Sequence, residues 1–477
     1  MCADEVQVSC DINFKSGTPL NRFIPPTLDE SAIATGAAMH ALAKTLWPIN
    51  RSITGAGLRT TLAQLQHIVP SLHITETASG SKALDWAVPE EWRITSATLT
   101  APDGTVIADI RQHNLQVIGY SCAVDCTLTL GELQPHLHSI EAQPDAIPYV
   151  TSYYQRQWGF CLTHTQRLHL KPGNYRAVIE AEHFPGSLSI GEIFLPGASD
   201  QEVFISTYCC HPSMANNELS GPVLAIYLAK WLSEQPNRRY SYRIVFVPEM
   251  IGSLVYLEQH LPALKARVIA GFNLSCVGDE RAYSYLPSRA GDTLADRIVL
   301  HALQHTDPHF KRYTWLDRGS DESNYCAPGI DLPVASVMRS KYGEFPEYHT
   351  SLDNLERVVT PFGLAQSFAL MQRIICGLEE NRTYQTTVLG EPQLGRRGLY
   401  PQTSKKGSTA SVRGLLDLIS YADGKLDLLA IAQQCSVPIW ELVPKCKRLV
   451  EEGLFVLSAM PSRGNRRLQS TKRRDAS

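Results

Sequence analysis

From residue 30 the apolar positions change period three times. "ESAIATGAAMHALAKTLWPI" and "RTTLAQLQHIVPSL" carry apolar residues at helical spacing, which predicts two amphipathic helices. Between about 90 and 190 the period falls to two. "SATLTAPDGTVIADI" reads as a hairpin turning at Asp103-Gly104, and "LQVIGYSCAVDCTLTL", "RLHLKPGNYRAVIEAEH" and "GSLSIGEIFLPG" continue as short strands between Gly and Pro turns. The aromatic stretch "TSYYQRQWGFC" is expected to be a core strand of this β-rich insert. Its Tyr153 and Tyr154 would wall a site if the insert folds onto it.

From 200 onward near-continuous apolar strands alternate with helices. "EVFISTYCC", "SYRIVFVP", "VIAGFNLSCVG" and "LPVASVM" are the strands; "GPVLAIYLAKWLSEQ", "TLADRIVLHALQHT" and "PFGLAQSFALMQRIICGLEEN" are the helices. Buried strands alternating with helices predict an α/β fold with a doubly wound, mostly parallel sheet. The domain plan expected is a catalytic α/β unit over 30–90 and 190–400, interrupted by a β-rich insert at 91–189. A winged-helix-like unit of three short helices and a β-element follows at 404–460, then a basic tail at 461–477. Residues 1–30 read as a weakly ordered lead-in.

Composition narrows the partners. Lys+Arg 44 against Asp+Glu 47 leaves a net charge of -3, so no whole-chain field favours nucleic acid or membrane. "SVPIWELVPKCKRLVEEG" mixes both charge signs, which suits a packing or protein-contact module better than a DNA-reading one. No apolar window reaches the roughly 18 residues of a membrane span. The first twenty residues have no apolar signal core, and twelve cysteines lack metal or disulfide spacing. A cytoplasmic protein with reduced thiols is expected. Its partner would be a small-molecule or short peptide substrate, with no membrane or nucleic acid. The insert could supply a homo-oligomer contact.

The chemistry gathers at predicted strand ends. In "CCHPSMANNELSG", His211 follows the strand "EVFISTYCC", Pro212 stops it, and "SMANNE" turns into a helix starting near Gly221. Glu249 directly follows a second strand in "VFVPEMIGS". Asp321 and Glu322 share the loop "DRGSDESNYC", and His349 lies in "EFPEYHTSLDN" after a third strand. Ligands of doubly wound sheets collect at the carboxyl edge, where these loops can converge. Imidazole and carboxylate donors there suit Zn²⁺. His136, His138, His301 and His305 read as structural. A thiol enzyme on Cys209 or Cys210 is set aside because adjacent strand residues point apart. In "WPINRSITG", Arg51 and Ser52 stand in a loop that either caps the next helix or faces the site.

The order of these motifs resembles the zinc aminopeptidase superfamily that includes the glutaminyl cyclases. The closer resemblance is to a bacterial aminopeptidase-like family of unknown function. It runs from about residue 40 to 455 through "PINRSITG", "DWAVPEEW", "IPYVTSYY", "WGFC", "CHPSMANNELSG", "RGSDESNYC" and "EYHTSLDN". It implies an aminopeptidase-like domain with a β-rich insert and a C-terminal winged helix. Three positions depart from the superfamily pattern. Asn217 stands for the bridging Asp, Ser275 for the second zinc's Asp, and Pro248-Glu249 for a Glu-Glu pair. The resemblance therefore implies one zinc, held by His211, His349 and Glu218, with Asp321 and Glu249 as alternative third ligands. Glu249 would be the general base. Asp321 and Glu322 would hold a substrate amino group or orient an imidazole. Arg318, Arg339 and Tyr342 would grip a carboxylate or polarise a carbonyl. The activity implied is metal-assisted hydrolysis of an amide or peptide bond; the alternative is a degenerate fold that only binds metal or ligand.

Overall fold

The structure, a computed structural model, describes residues 28–399 and 408–458. The expected lead-in, up to residue 27, and the basic tail lie outside the described residues. Helix α1 (Glu30–Leu46) starts where Asp29 accepts the Ala32 amide at 3.0 Å, and α2 (Ala56–Ile68) follows the Arg51 loop.

An eight-stranded mixed sheet forms the centre. Its strands are β1 (His73–Ala78), β2 (Ser187–Leu195), β3 (Glu202–Tyr208), β4 (Ser241–Val247), β5 (Val268–Leu274), β6 (Ser284–Leu286), β7 (Lys311–Arg312) and β8 (Val334–Met338). They lie in the order β1-β2-β4-β3-β5-β8-β6-β7. The middle four are parallel; on one side β2 pairs antiparallel with β4 and β1 antiparallel with β2, and on the other β6 runs antiparallel to β8. Helices α3 (Ser220–Ser233), α4 (Ile251–Arg267), α5 (Leu294–Gln304) and α6 (Pro361–Glu380) complete the layers.

Every residue of β3 is buried, because both faces of the sheet are covered. Val203 and Ile205 face the larger core with α3 and α6, while Phe204 turns to the opposite core with Val255 and Leu257 of α4. That is why the strand reads as a continuous apolar run rather than an alternation. Gly221, at the start of α3, lets the helix lie against the strands. A Cβ there would sit 2.3 Å from the Thr207 hydroxyl and 2.5 Å from the Leu274 carbonyl oxygen.

The β-rich stretch contributes a separate four-stranded antiparallel sheet, in the order Val106–Asp109, Glu91–Thr100, Asn174–Phe184, Val124–Thr129. Three differences from expectation have physical causes. "GSLSIGEIFLPG" alternates like its neighbours but pairs with β1 and β4 in the main sheet, since period alone does not choose a partner. "TSYYQRQWGFC" is no core strand: only Thr151 and Phe160–Cys161 make β-pairs, and Gln155–Gln157 is exposed. There Tyr153 turns inward against Tyr120, at 5.0 Å between ring centroids, and breaks the alternation. Helix α4, with Pro262 inside it, had no clean helical stripe to announce it.

The C-terminal unit has helices Ser408–Tyr421, Leu428–Cys435 and Ile439–Glu451 and a three-stranded sheet. The middle strand of that sheet is Thr383–Thr386, upstream of the expected start at 404. Four residues directly after a twenty-residue helix are too few to show a period. Ile439, Leu442, Cys446 and Leu449 join the same core as α5 and α6. His301 Nε2 accepts the Ile439 amide at 2.8 Å, and Arg297 grips Asp427 with two bonds of 2.9 and 2.7 Å. Among the described residues, no helix is long and apolar enough to cross a membrane.

Candidate metal centre

β3 ends at Tyr208, and Cys209 still donates its amide to Val247 at 3.0 Å. Pro212 and Ser213 (φ 48°) then turn the chain into a π-helical turn, Ala215–Leu219. This wider turn carries Glu218 back beneath the strand end, and its Oε2 lies 2.8 Å from His211 Nδ1. Glu249 follows β4 through Pro248, so two adjacent parallel strands deliver their chemistry to one edge. Its Oε2 is 3.5 Å from His211 Nε2, and its Oε1 accepts the Ser320 hydroxyl at 2.7 Å.

His349 arrives from the loop after β8 with φ 56°, a left-handed conformation uncommon for non-glycine residues. Its ring stacks on Tyr348 at 3.8 Å and lies 5.5 Å from the His211 ring. Tyr149 of the β-rich stretch covers both imidazoles, at 5.0 and 5.2 Å between centroids. The cover is stitched in place by backbone. Tyr149 donates to the His349 carbonyl at 2.9 Å, and Ser351 donates to the Ile147 carbonyl at 2.9 Å.

Burial works against charge on His211, but Glu218 and Glu249 outweigh it and its pKa is raised. Burial likewise pushes the Glu249 carboxyl up, against the pull of His211. His349 is pushed down to about 3, by burial first and by His211 second, and is therefore neutral across the physiological range.

Zinc takes imidazole nitrogen and carboxylate oxygen at about 2 Å, and the donors present fit. Among the described residues, Glu218 Oε1 and His349 Nε2 are buried without a hydrogen-bond partner, a cost that a bound cation would relieve. Donor atoms of Cys210, His211 and Glu218 lie within 4.8 Å of one another. Cys210 Sγ approaches His211 Nδ1 to 3.3 Å, against the expectation that neighbours here point apart. The reason is that the strand has already ended at Tyr208. Burial pushes the Cys210 thiol well up, which withholds the thiolate a cysteine enzyme needs.

The other expected site residues are placed elsewhere. Asp321 accepts the Met250 amide at 2.7 Å and the Ser253 hydroxyl at 2.8 Å beneath the turn that carries Glu249. Glu322 is fully buried and accepts from the Gly319 and Ser320 amides, Asn273, Ser336 and the Tyr342 hydroxyl. Arg339 is buried with its guanidinium over the Tyr283 ring at 3.9 Å. Arg318 is exposed on Trp315. None of these five, Tyr342 included, forms a hydrogen bond, ion pair or ring contact with His211 or His349 among the described residues. Two residues escaped the sequence. Tyr149 lies in the stretch "IPYVTSYY", whose pattern assigned it no role at the site. Asp353 accepts the Asn216 and Asn217 amides at 2.8 and 2.9 Å, tying the His349 loop to the π-turn.

A mixed sheet with helices on both faces, and histidine and carboxylates on the carboxyl edge of its parallel centre, defines the aminopeptidase-like α/β class. Solved structures share the fold at low identity. A peptidase M28 precursor from Shewanella amazonensis SB2B matches with TM-score 0.51 and 13% identity, over 76% of this chain and 97% of that one. BSAP, a zinc aminopeptidase from Bacillus subtilis, matches with TM-score 0.52 and 15% identity, over 73% and 95%. The chain itself belongs to the family described as a domain of unknown function, DUF4910, whose model spans residues 40–381; a winged helix-turn-helix model spans 382–457. A Clostridium acetobutylicum relative is named "Putative polysaccharide biosynthesis protein with aminopeptidase-like domain". It is 39% identical over 415 residues, covering 87% of this chain and 93% of its own. A crystal structure of a "putative peptidase" from Clostridium acetobutylicum has TM-score 0.85 and 38% identity, over 90% of this chain and 98% of that one.

Proposed function

We propose that this protein is a single-zinc hydrolase that cleaves an amide or peptide bond in a small amino-acyl or peptide substrate. The observation that supports this most is the meeting of His211, Glu218, Glu249 and His349 on one sheet edge beneath Tyr149. His211, His349 and Glu218 would hold the ion, because Glu218 is fully buried and keeps one oxygen unpartnered. When bound, zinc supplies Lewis acidity toward the scissile carbonyl and the attacking water.

Glu249 suits the base. Its side chain is 20% exposed, Ser320 fixes Oε1, and Oε2 remains open towards His211. A raised carboxyl pKa brings it nearer the operating pH, where a base both accepts and returns a proton. Oε2 takes the proton of the attacking water and passes it to the leaving amine. The Tyr149 ring limits water at the two imidazoles.

The test is metal content and hydrolysis of aminoacyl and N-acyl amide libraries by wild type, His211→Ala, His349→Ala, Glu218→Ala and Glu249→Gln. About one zinc per chain is expected, lost in the first three variants and kept in Glu249→Gln, whose turnover collapses. Wild type that stays metal-free when zinc is offered would sink this reading.

A further inference from the structure

The Arg51 loop is not absorbed by that chemistry. Arg51 is 1% exposed, and its guanidinium is held from two sides. Nε donates to the His211 carbonyl at 3.1 Å and Nη1 to the Leu46 carbonyl at 2.6 Å. Nη2 is buried and has no partner. Arg51 makes no ion pair among the described residues, although Glu218 acts on it through space. A buried guanidinium fixed by neutral carbonyls, with one N–H face spare, is an anion receptor waiting for its anion.

Arg51 lines a narrow cleft with Asn50, Ser52, Asn114, Tyr149 and Tyr153, beside Pro212 of the metal loop. Tyr149 and Tyr153 share one hydrogen bond of 2.7 Å between their hydroxyls. Two phenols carry two protons, and that bond uses one. The second proton has no acceptor among the described residues. Arg51 and the tyrosine pair, each with a donor to spare, thus line the same cleft, next to the imidazoles that Tyr149 covers. Glu322, one of the two acids expected to receive a substrate ammonium, is buried and bonded on both oxygens, and Asp321 is buried with Oδ1 holding the Met250 amide and the Ser253 hydroxyl, so only its buried Oδ2 is left over among the described residues.

We infer that the Arg51–Tyr149–Tyr153 cleft is a carboxylate subsite, so that the substrate carries its free carboxylate beside the scissile bond. The class is N-acyl amino acids or the C-terminal residue of a short peptide, rather than a peptide held by its amino end. The position of the scissile bond rests on the hydrolase reading; the anion subsite does not. Arg51 acts here as a specificity residue and also steadies His211 through its carbonyl.

Calorimetric titration of the full chain with N-acetylglycine and its neutral twin N-acetylglycinamide tests this. Wild type is expected to favour the carboxylate by about 10-fold or more, the scale of a charge-assisted hydrogen-bond pair. Arg51→Gln should bring the two affinities together, and Arg51→Lys should restore part of the gap. If Arg51→Gln does not fold, the Tyr149→Phe/Tyr153→Phe double variant carries the test and should narrow the gap several-fold. Chelator-treated protein should keep the preference. Equal affinities in wild type, binding of neither compound, a preference unchanged in the variants, or one that vanishes with chelator would each overturn the subsite. A preference that persists in a protein with no zinc and no hydrolysis would leave the subsite standing and fell only the hydrolase.

Discussion

Glu249 and Glu218 flank one imidazole and are asked for different work. Glu218, fully buried, keeps one oxygen without a partner among the described residues, where an ion would sit; Glu249, partly open, can exchange protons with a substrate. Replacing Glu249 by Gln is expected to lower kcat by about 10²–10⁴-fold with zinc retained, checked by elemental analysis beside steady-state rates. Its pKa is raised, and a base works deprotonated, so activity should fall with acid at a pH above the ordinary carboxylate range. A pH profile of kcat/KM reads that limb; a limb at or below pH 4.5, the ordinary glutamate value, would remove Glu249 from the role. At this scale His211, His349 and Glu249 were legible because each follows an apolar strand. Tyr149, Asp353 and the spare N–H of Arg51 were not. They act across loops far apart in sequence, and no local spacing records that.

At the scale of elements, the π-turn, the left-handed His349 and the docked C-terminal helix each place a group that regular structure would misplace. The helix Ile439–Glu451 begins with its amide on His301 Nε2, which must be unprotonated to accept. Burial, then His305, pushes His301 down to about 4 from an ordinary 6.5. The unfolded chain therefore binds the proton more readily. The stabilisation is complete above about pH 6.5 and is lost as pH falls towards 4, by no more than about 3 kcal/mol. Thermal melts across that window should show a fall that His301→Asn flattens, because Asn can accept the amide without titrating. The strands of the parallel centre were legible as unbroken apolar runs and α3, α5 and α6 as helical stripes. α4, with Pro262 inside it, showed no such stripe, and β2 was legible as a strand but not as a member of the main sheet, because an alternating strand looks alike in either sheet.

At the scale of the molecule, the C-terminal unit shares its core with α5 and α6, which ties it to the sheet. Deleting residues from 382 onward should expose that apolar face, so the truncated chain is expected to aggregate or lose its cooperative melt, read by calorimetry and light scattering. Lys447 pairs with Glu380 at 2.7 Å, and Arg448 reaches Glu452 at 2.7 Å. Filter binding of duplex DNA at low salt should accordingly show no salt-dependent retention; a steep salt slope would reverse that assignment. The overall plan was legible in the alternation of periods, whereas the position of the Ile147–Tyr149 segment over the candidate site was not. That position depends on the stitch between Ile147–Tyr149 and His349–Ser351, where the Ile147 amide reaches the Ser351 hydroxyl at 3.0 Å across 204 positions of chain. Closing so long a loop costs entropy that these few bonds alone must offset. The stitch thus works as a latch, and a chain in which it fails to close would hold a finished sheet with an uncovered edge.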